Sequence, residues 1–274
     1  MLMRKLTVAA ALMLCATFVW AEESAWTLLD RGLKEMRKGR LSRAERFFDA
    51  AIKRDGRCED AYYYLGVISE NKKLHRKAEE LFLRVTDKSP THSLAAERLG
   101  QSALRKGDKE KALKHFLVYI KDRPTGQGHM QVATVQIDLK KFKEAELSLA
   151  EAKKTLRGNL DLAEMYGRLY LETERYAEAL EAYRKIVKTI PIDNRARFLC
   201  GNCLERLDRP ADAKREYREV LKRDPYHKLT LHALVRLYED DRSKRAEVAE
   251  YRKRLKALAK HPPRVRRVSG KKKS

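Results

Sequence analysis

The residues best placed to do chemistry are Cys200-Gly-Asn-Cys203, two thiols at the spacing of a disulfide-exchange pair or half a zinc site. A structural zinc site needs a matching second pair, and Cys15 and Cys58 do not form one. A redox pair needs a helix end that lowers a thiol pKa, whereas this tetrad falls inside a helical pattern. Cys200 and Cys203 are therefore expected to be small core-facing residues. The seven histidines (His75, His92, His115, His129, His227, His232 and His261) are scattered. None forms the i, i+4 pair around a Glu that a helix-borne zinc site needs. A Gly-rich phosphate loop and a nucleophile elbow are both missing. The expectation is a protein that is not an enzyme and has no catalytic residues, cofactor or metal.

Charge is the other chemical resource. The 274 residues include 62 Lys and Arg against 39 Asp and Glu, a net +23. Such a field attracts nucleic acid, anionic lipid or acidic polymer. The elements that carry these groups are constrained by composition. Gly and Pro together number only 19, which excludes a collagen and argues against a disordered chain. With 43% apolar and 37% charged residues, a thin, exposed helical architecture fits better than a compact α/β globule.

Residues 1–21 have the layout of a secretory signal peptide. Arg4 and Lys5 precede an uncharged run from Leu6 to Trp20, and Val19-Trp20-Ala21 stands before Glu22-Glu23. The run is shorter than the ~20 residues a membrane span needs, so cleavage is expected over retention as an anchor. Leu14 is bulky for a lipoprotein signal at Cys15. The expected location is exported, periplasmic or extracellular. Export makes nucleic acid an unfavoured partner, and leaves Cys58, Cys200 and Cys203, too few for a disulfide framework.

The rest of the chain repeats every 34 residues. One row of small residues runs Gly32, Gly66, Gly100, Ala133, Gly167, Gly201, and a second runs Ala44, Ala78, Ala112, Ala145, Ala179, Ala213. Both slip by one residue at the same place. Four residues after each Ala stands Phe48, Phe82, Phe116, Leu149, Tyr183 or Tyr217. Twelve after it stands Gly56, Pro90, Pro124, Arg157, Pro191 or Pro225. Offsets of three and four inside each half predict two helices per unit, joined by turns such as Lys38-Gly39-Arg40 and Lys106-Gly107-Asp108. The small rows are expected where backbones cross, with the aromatic beside them. Proline is expected in the first turn of the next helix.

With Tyr62-Tyr63-Tyr64-Leu65-Gly66, Ala78, Phe82 and Pro90, and again with Tyr166-Gly167, Tyr170, Tyr176, Ala179, Tyr183 and Pro191, the chain resembles the tetratricopeptide repeat family. The resemblance implies an all-α fold, a right-handed α-solenoid of antiparallel helix pairs, over residues 22–260. The units fall at about 25–58, 59–92, 93–125, 126–159, 160–193 and 194–227. A degenerate seventh and a capping helix occupy 228–260, with Val248, Tyr251, Leu255 and Leu258 covering the stack's end. Residues 261–274 are expected to be a disordered basic tail. The lost residue near Pro124-Thr125-Gly126 predicts a local change of helix angle.

In this family the first helix of each pair lines a concave groove. The resemblance therefore implies a partner-binding groove at Leu33, Tyr63, Val67, Arg98, Gln101, Arg105, Arg168, Asn202, Arg206 and Arg236, apolar at one end and basic at the other. Arg168, Arg206 and Arg236 are expected to lack nearby partners and so to attract acidic groups. Asn202 stands where some relatives grip a terminal carboxylate, but the matching position in the next unit is Ala233, so that clamp is not carried over. The expected function is an exported scaffold that binds protein or peptide segments, acidic ones included, in cell-envelope complex assembly. The alternative is a basic envelope-attached protein that binds anionic polymers or lipid surfaces. Oligomeric state is left open.

Overall fold

The computed structural model describes residues 23–89 and 92–260, which contain α-helix and one 3-10 turn but no strand. Residues 1–21, expected to be a signal peptide, and 261–274, expected to be a basic tail, lie outside the described residues. The chain divides into two compact units between Pro124 and Thr125. The first unit holds three helix pairs: α1 (Ala25–Arg37) with α2 (Leu41–Arg54), α3 (Glu59–Asn71) with α4 (His75–Lys88), and α5 (Ser93–Lys106) with α6 (Lys109–Asp122). The second holds α7 (Gly126–Asp138) with α8 (Phe142–Thr155), α9 (Leu160–Glu172) with α10 (Tyr176–Thr189), and α11 (Asn194–Arg206) with α12 (Pro210–Arg223). It ends with α13 (Lys228–Leu237), the 3-10 turn Arg242–Lys244 and α14 (Arg245–Lys260). Val248 of α14 is buried, and Tyr251, Leu255 and Leu258 pack half-buried on the same core, as the capping pattern requires.

The small rows pack differently from the sequence expectation. A Cβ on Gly66 would lie 2.5 Å from Cε1 of Phe82, and one on Gly100 would lie 2.7 Å from Cε1 of Phe116. Gly32 meets Phe48, Gly167 meets Tyr183 and Gly201 meets Tyr217 in the same way. Each glycine thus seats the ring found sixteen residues later, rather than a second backbone. Where Ala133 replaces the glycine, Leu149 replaces the ring and both are fully buried. The methyl group there uses space that an aromatic takes in the other units. The alanine row is fully or almost fully buried throughout.

Prolines also correct the expectation. Pro124, Pro191 and Pro225 stand in the connectors between helices, not in a first turn; among the described residues only Pro210 opens a helix, α12. Their work is on the preceding residue, which a proline ring excludes from helical ψ. Arg123, Ile190 and Asp224 accordingly have φ near −125° and ψ near 80° and end α6, α10 and α12. A cap row then starts every first helix except α3, where Cys58 makes no side-chain cap bond. The side chains of Ser24, His92, Thr125, Asn159, Asp193 and His227 each accept from a backbone N–H three residues on. Two of the seven histidines are therefore caps.

The turn inside each pair has its own row in the left-handed region: Gly39, Lys73, Gly107, Lys140, Glu174 and Asp208, with φ from 55° to 81°. There the amide after the left-handed residue reaches back to close the first helix, as from Leu74 N to Ser69 O at 2.9 Å. Only two of the six are glycine, so the others hold a Cβ where it is sterically disfavoured. Replacing Lys140 by Gly is expected to stabilise the protein by up to about 1 kcal/mol. Gly107→Ala is expected to cost about 1 kcal/mol. Urea titration of the two variants checks both signs.

Candidate functional site

The first helices use one stripe for packing and leave another open. The residue after each small-row position is half-buried in α1, α3 and α5 at Leu33, Val67 and Gln101, and in α7, α9 and α11 at Thr134, Arg168 and Asn202. In α13 it is the exposed Arg236. Leu33 and Val67 lean on core clusters, and Gln101 donates to Glu97 at 3.3 Å.

Tyr63 does not belong to this open face. It is 8% exposed, with its ring 5.8 Å from Phe82 and 5.5 Å from His92. Phe198, in the same register, stacks between Tyr217 and His227 at 5.5 and 5.6 Å. Both residues bridge their own unit's ring to the cap histidine of the next unit. An aromatic at this position is repeat-to-repeat packing, not a partner contact.

The arginines are likewise not free. Arg98 and Arg105 both approach Glu70, at 3.4 and 3.3 Å. Arg168 pairs with Asp138 of the preceding first helix. Arg236 donates to Glu205 at 2.6 Å, and Tyr217 donates to the other oxygen of Glu205 at 2.5 Å. Burial and the Glu205 carboxylate push the Tyr217 phenol far above its ordinary pKa. Arg206 has its guanidinium 5.8 Å from the centre of the Tyr176 ring. The missed signal is periodic: Glu70 and Glu205 each stand four residues after their glycine, facing the next unit. A second ladder runs from the second helices, where Glu79 meets Lys106 at 2.5 Å and Glu146 meets Arg175 at 2.9 Å. These pairs are largely solvent-screened and worth about 0.2–1 kcal/mol each. Their larger effect is to neutralise the face, so that its net charge is much smaller than its arginine count.

Cys200 and Cys203 are core thiols, 1% and 0% exposed, beside Tyr217 and Leu204. Burial pushes Cys200 up to about 12 and Cys203 up to about 11, which keeps both protonated and unreactive at neutral pH. The tetrad is thus part of the core packing of α11.

The tetratricopeptide repeat family model matches residues 29–93, 74–127, 133–191 and 165–228. The chain belongs to the tetratricopeptide repeat family. Among curated proteins, none matches it in sequence. Among solved structures, this tetratricopeptide repeat chain is similar to YrrB, described as a TPR protein with an unusual peptide-binding site, with TM-score 0.63 and 17% identity over 68% of this chain and 96% of that one. It is similar to PilW, a widely conserved type IV pilus biogenesis factor, with TM-score 0.58 and 16% identity over 77% and 98%. It is also similar to PilF of Pseudomonas aeruginosa, with TM-score 0.56 and 16% identity over 75% and 94%. At these identities the likeness is one of fold: an all-α tetratricopeptide repeat solenoid, a fold that generally serves as a scaffold for protein–protein interaction.

Proposed function

We propose that this protein is an exported scaffold that holds a protein partner on the open face of its first helices, in the assembly of a cell-envelope complex. One observation carries the binding part. Four rows of side chains repeat in chemistry from unit to unit because packing needs them to. The open row reads Leu33, Val67 and Gln101 in the first unit and Thr134, Arg168, Asn202 and Arg236 in the second, with no one chemistry kept from repeat to repeat. A stripe that stays partly open in every first helix, and whose chemistry is not fixed from unit to unit, suits recognition of a non-repeating polypeptide. Neutralisation of its arginines by Glu70, Asp138 and Glu205 favours a partner of mixed character over a purely acidic one. Export rests on the layout of residues 1–21, and the envelope role on likeness of fold to two pilus proteins.

Amino-terminal sequencing of protein isolated from its own cells tests the export step. Glu22 as first residue is expected; an intact Met1 or an acylated Cys15 would contradict it. In the same preparation Asn202→Glu is expected to lower the yield of co-purified partner several-fold while leaving the melting temperature within a few degrees. Unchanged recovery would count against the first-helix face.

A further inference from the structure

We propose that the second unit carries a separate docking cleft, between α8 and α10 and floored by α9, for an acidic peptide segment with one large apolar anchor. It goes beyond the scaffold reading by assigning a different face and a different partner chemistry. The cleft has a volume of about 690 Å³, within the range of built ligand sites. It exists because two second-helix positions are small. Ala150 takes the place held in other units by Asp49, Leu83, Leu117, Arg184 and Arg218, and Ala182 that held by Phe47, Leu81, His115, Ser148 and Glu216. Between them the floor is Ala163, Tyr166 and Tyr170, with the two tyrosine rings 5.7 Å apart. An apolar side chain of the partner fits where Leu83 or Leu117 would stand in another unit.

Charge selects the rest of the occupant. At one end Arg175 lies 4.3 Å over the Tyr170 ring and bonds Glu146 at 2.9 Å and Glu178 at 3.0 Å, so its charge is already met. At the other end Lys153, Arg157 and Lys185 line the cleft, and none of the three has a carboxylate partner among the described residues. Arg157 stands in the row that elsewhere carries glycine or proline, so this cation is peculiar to the unit that has the cleft. Glu181, the remaining acid of the lining, pairs with Arg184 at 3.7 Å, and three unmet positive charges beside an apolar slot complement a carboxylate-rich segment. Arg168, two residues from Tyr166 and thus about 200° around α9, faces away from the cleft. The two surfaces can therefore be tested separately.

Fluorescence anisotropy of the full chain with two labelled peptides, Leu-Phe-Asp-Glu-Asp and its reverse, is the test. At least one is expected to bind, weakening several-fold between 0.05 and 0.3 M salt. Ala150→Leu with Ala182→Leu fills the slot with side chains other units carry there, and is expected to weaken binding at least tenfold at an unchanged melting temperature. Lys153→Glu with Lys185→Glu is expected to do the same. Binding by neither peptide, or equal binding to both double variants, would overturn the proposal. So would equal affinity for a peptide with lysines replacing its acids. Loss on Arg168→Glu with both cleft variants still binding would also overturn it, and would assign the peptide to the first-helix face, leaving the scaffold reading intact.

Discussion

Gly100→Ala is expected to destabilise the protein by about 1–3 kcal/mol, and Phe116→Leu in the same chain to return much of that loss. The alanine methyl would lie 2.7 Å from the Phe116 ring, against a fully buried side chain that has nowhere to move. Phe116→Leu alone removes buried volume and is expected to cost about 1–2 kcal/mol, at the low end of large-to-small core changes. Together they rebuild the Ala133 and Leu149 arrangement, which the protein already uses in its fourth unit. A coupling of at least about 1 kcal/mol between the two changes is expected, as for residues in direct contact. Chemical denaturation of the four proteins measures it. Simple additivity would mean that the glycine row is not set by the ring.

The second large effect concerns buried protons. Cys200, Cys203, Tyr183 and Tyr217 all have pKa values raised above their ordinary range, first of all by burial. The folded state therefore keeps these protons at a pH where the unfolded chain releases them. Stability from this source is fully present below about pH 8.5, the ordinary thiol value, and is lost as pH rises towards the folded-state values of about 11 and 12 for Cys203 and Cys200. A melting temperature that falls steeply from pH 9 to 11 is expected. Serine at both cysteine positions is expected to cost about 2–4 kcal/mol, because two hydroxyls would replace apolar thiols in the core. In the native protein a colourless-to-coloured thiol reagent is expected to label neither residue until denaturant is added. Rapid labelling at pH 7 would contradict the burial that explains both results.

The packing of each unit was legible in the sequence because it repeats. Six copies of Gly32, Ala44 and Phe48 in one register average out chance, and helix pairs, turns and the α14 cap all follow from spacing. What seats on what was not legible. Spacing alone does not say whether a glycine faces a backbone or a ring, and only the Ala133–Leu149 exchange within the chain hints at the answer. Tyr63 and the arginines were misplaced for a different reason. Whether an exposed-looking residue is free depends on its neighbour in the next unit, such as His92 for Tyr63 or Glu205 for Arg236, and those neighbours lie 27–35 residues away. The cleft was hidden because it is made by small residues, and an alanine in a helix carries no signal of the space beside it.

Site-by-site crosslinking in intact cells tests the central claim most directly. A photoreactive residue is placed in turn at Leu33, Val67, Gln101, Thr134, Arg168, Asn202 and Arg236, and at the exposed second-helix positions Lys77, Lys143 and Arg215. Neighbouring positions of the first-helix row are expected to capture the same partner protein, identified by mass spectrometry, while the second-helix positions capture none of it. Crosslinks confined to Lys77, Lys143 and Arg215, with nothing captured along the row, would contradict the account.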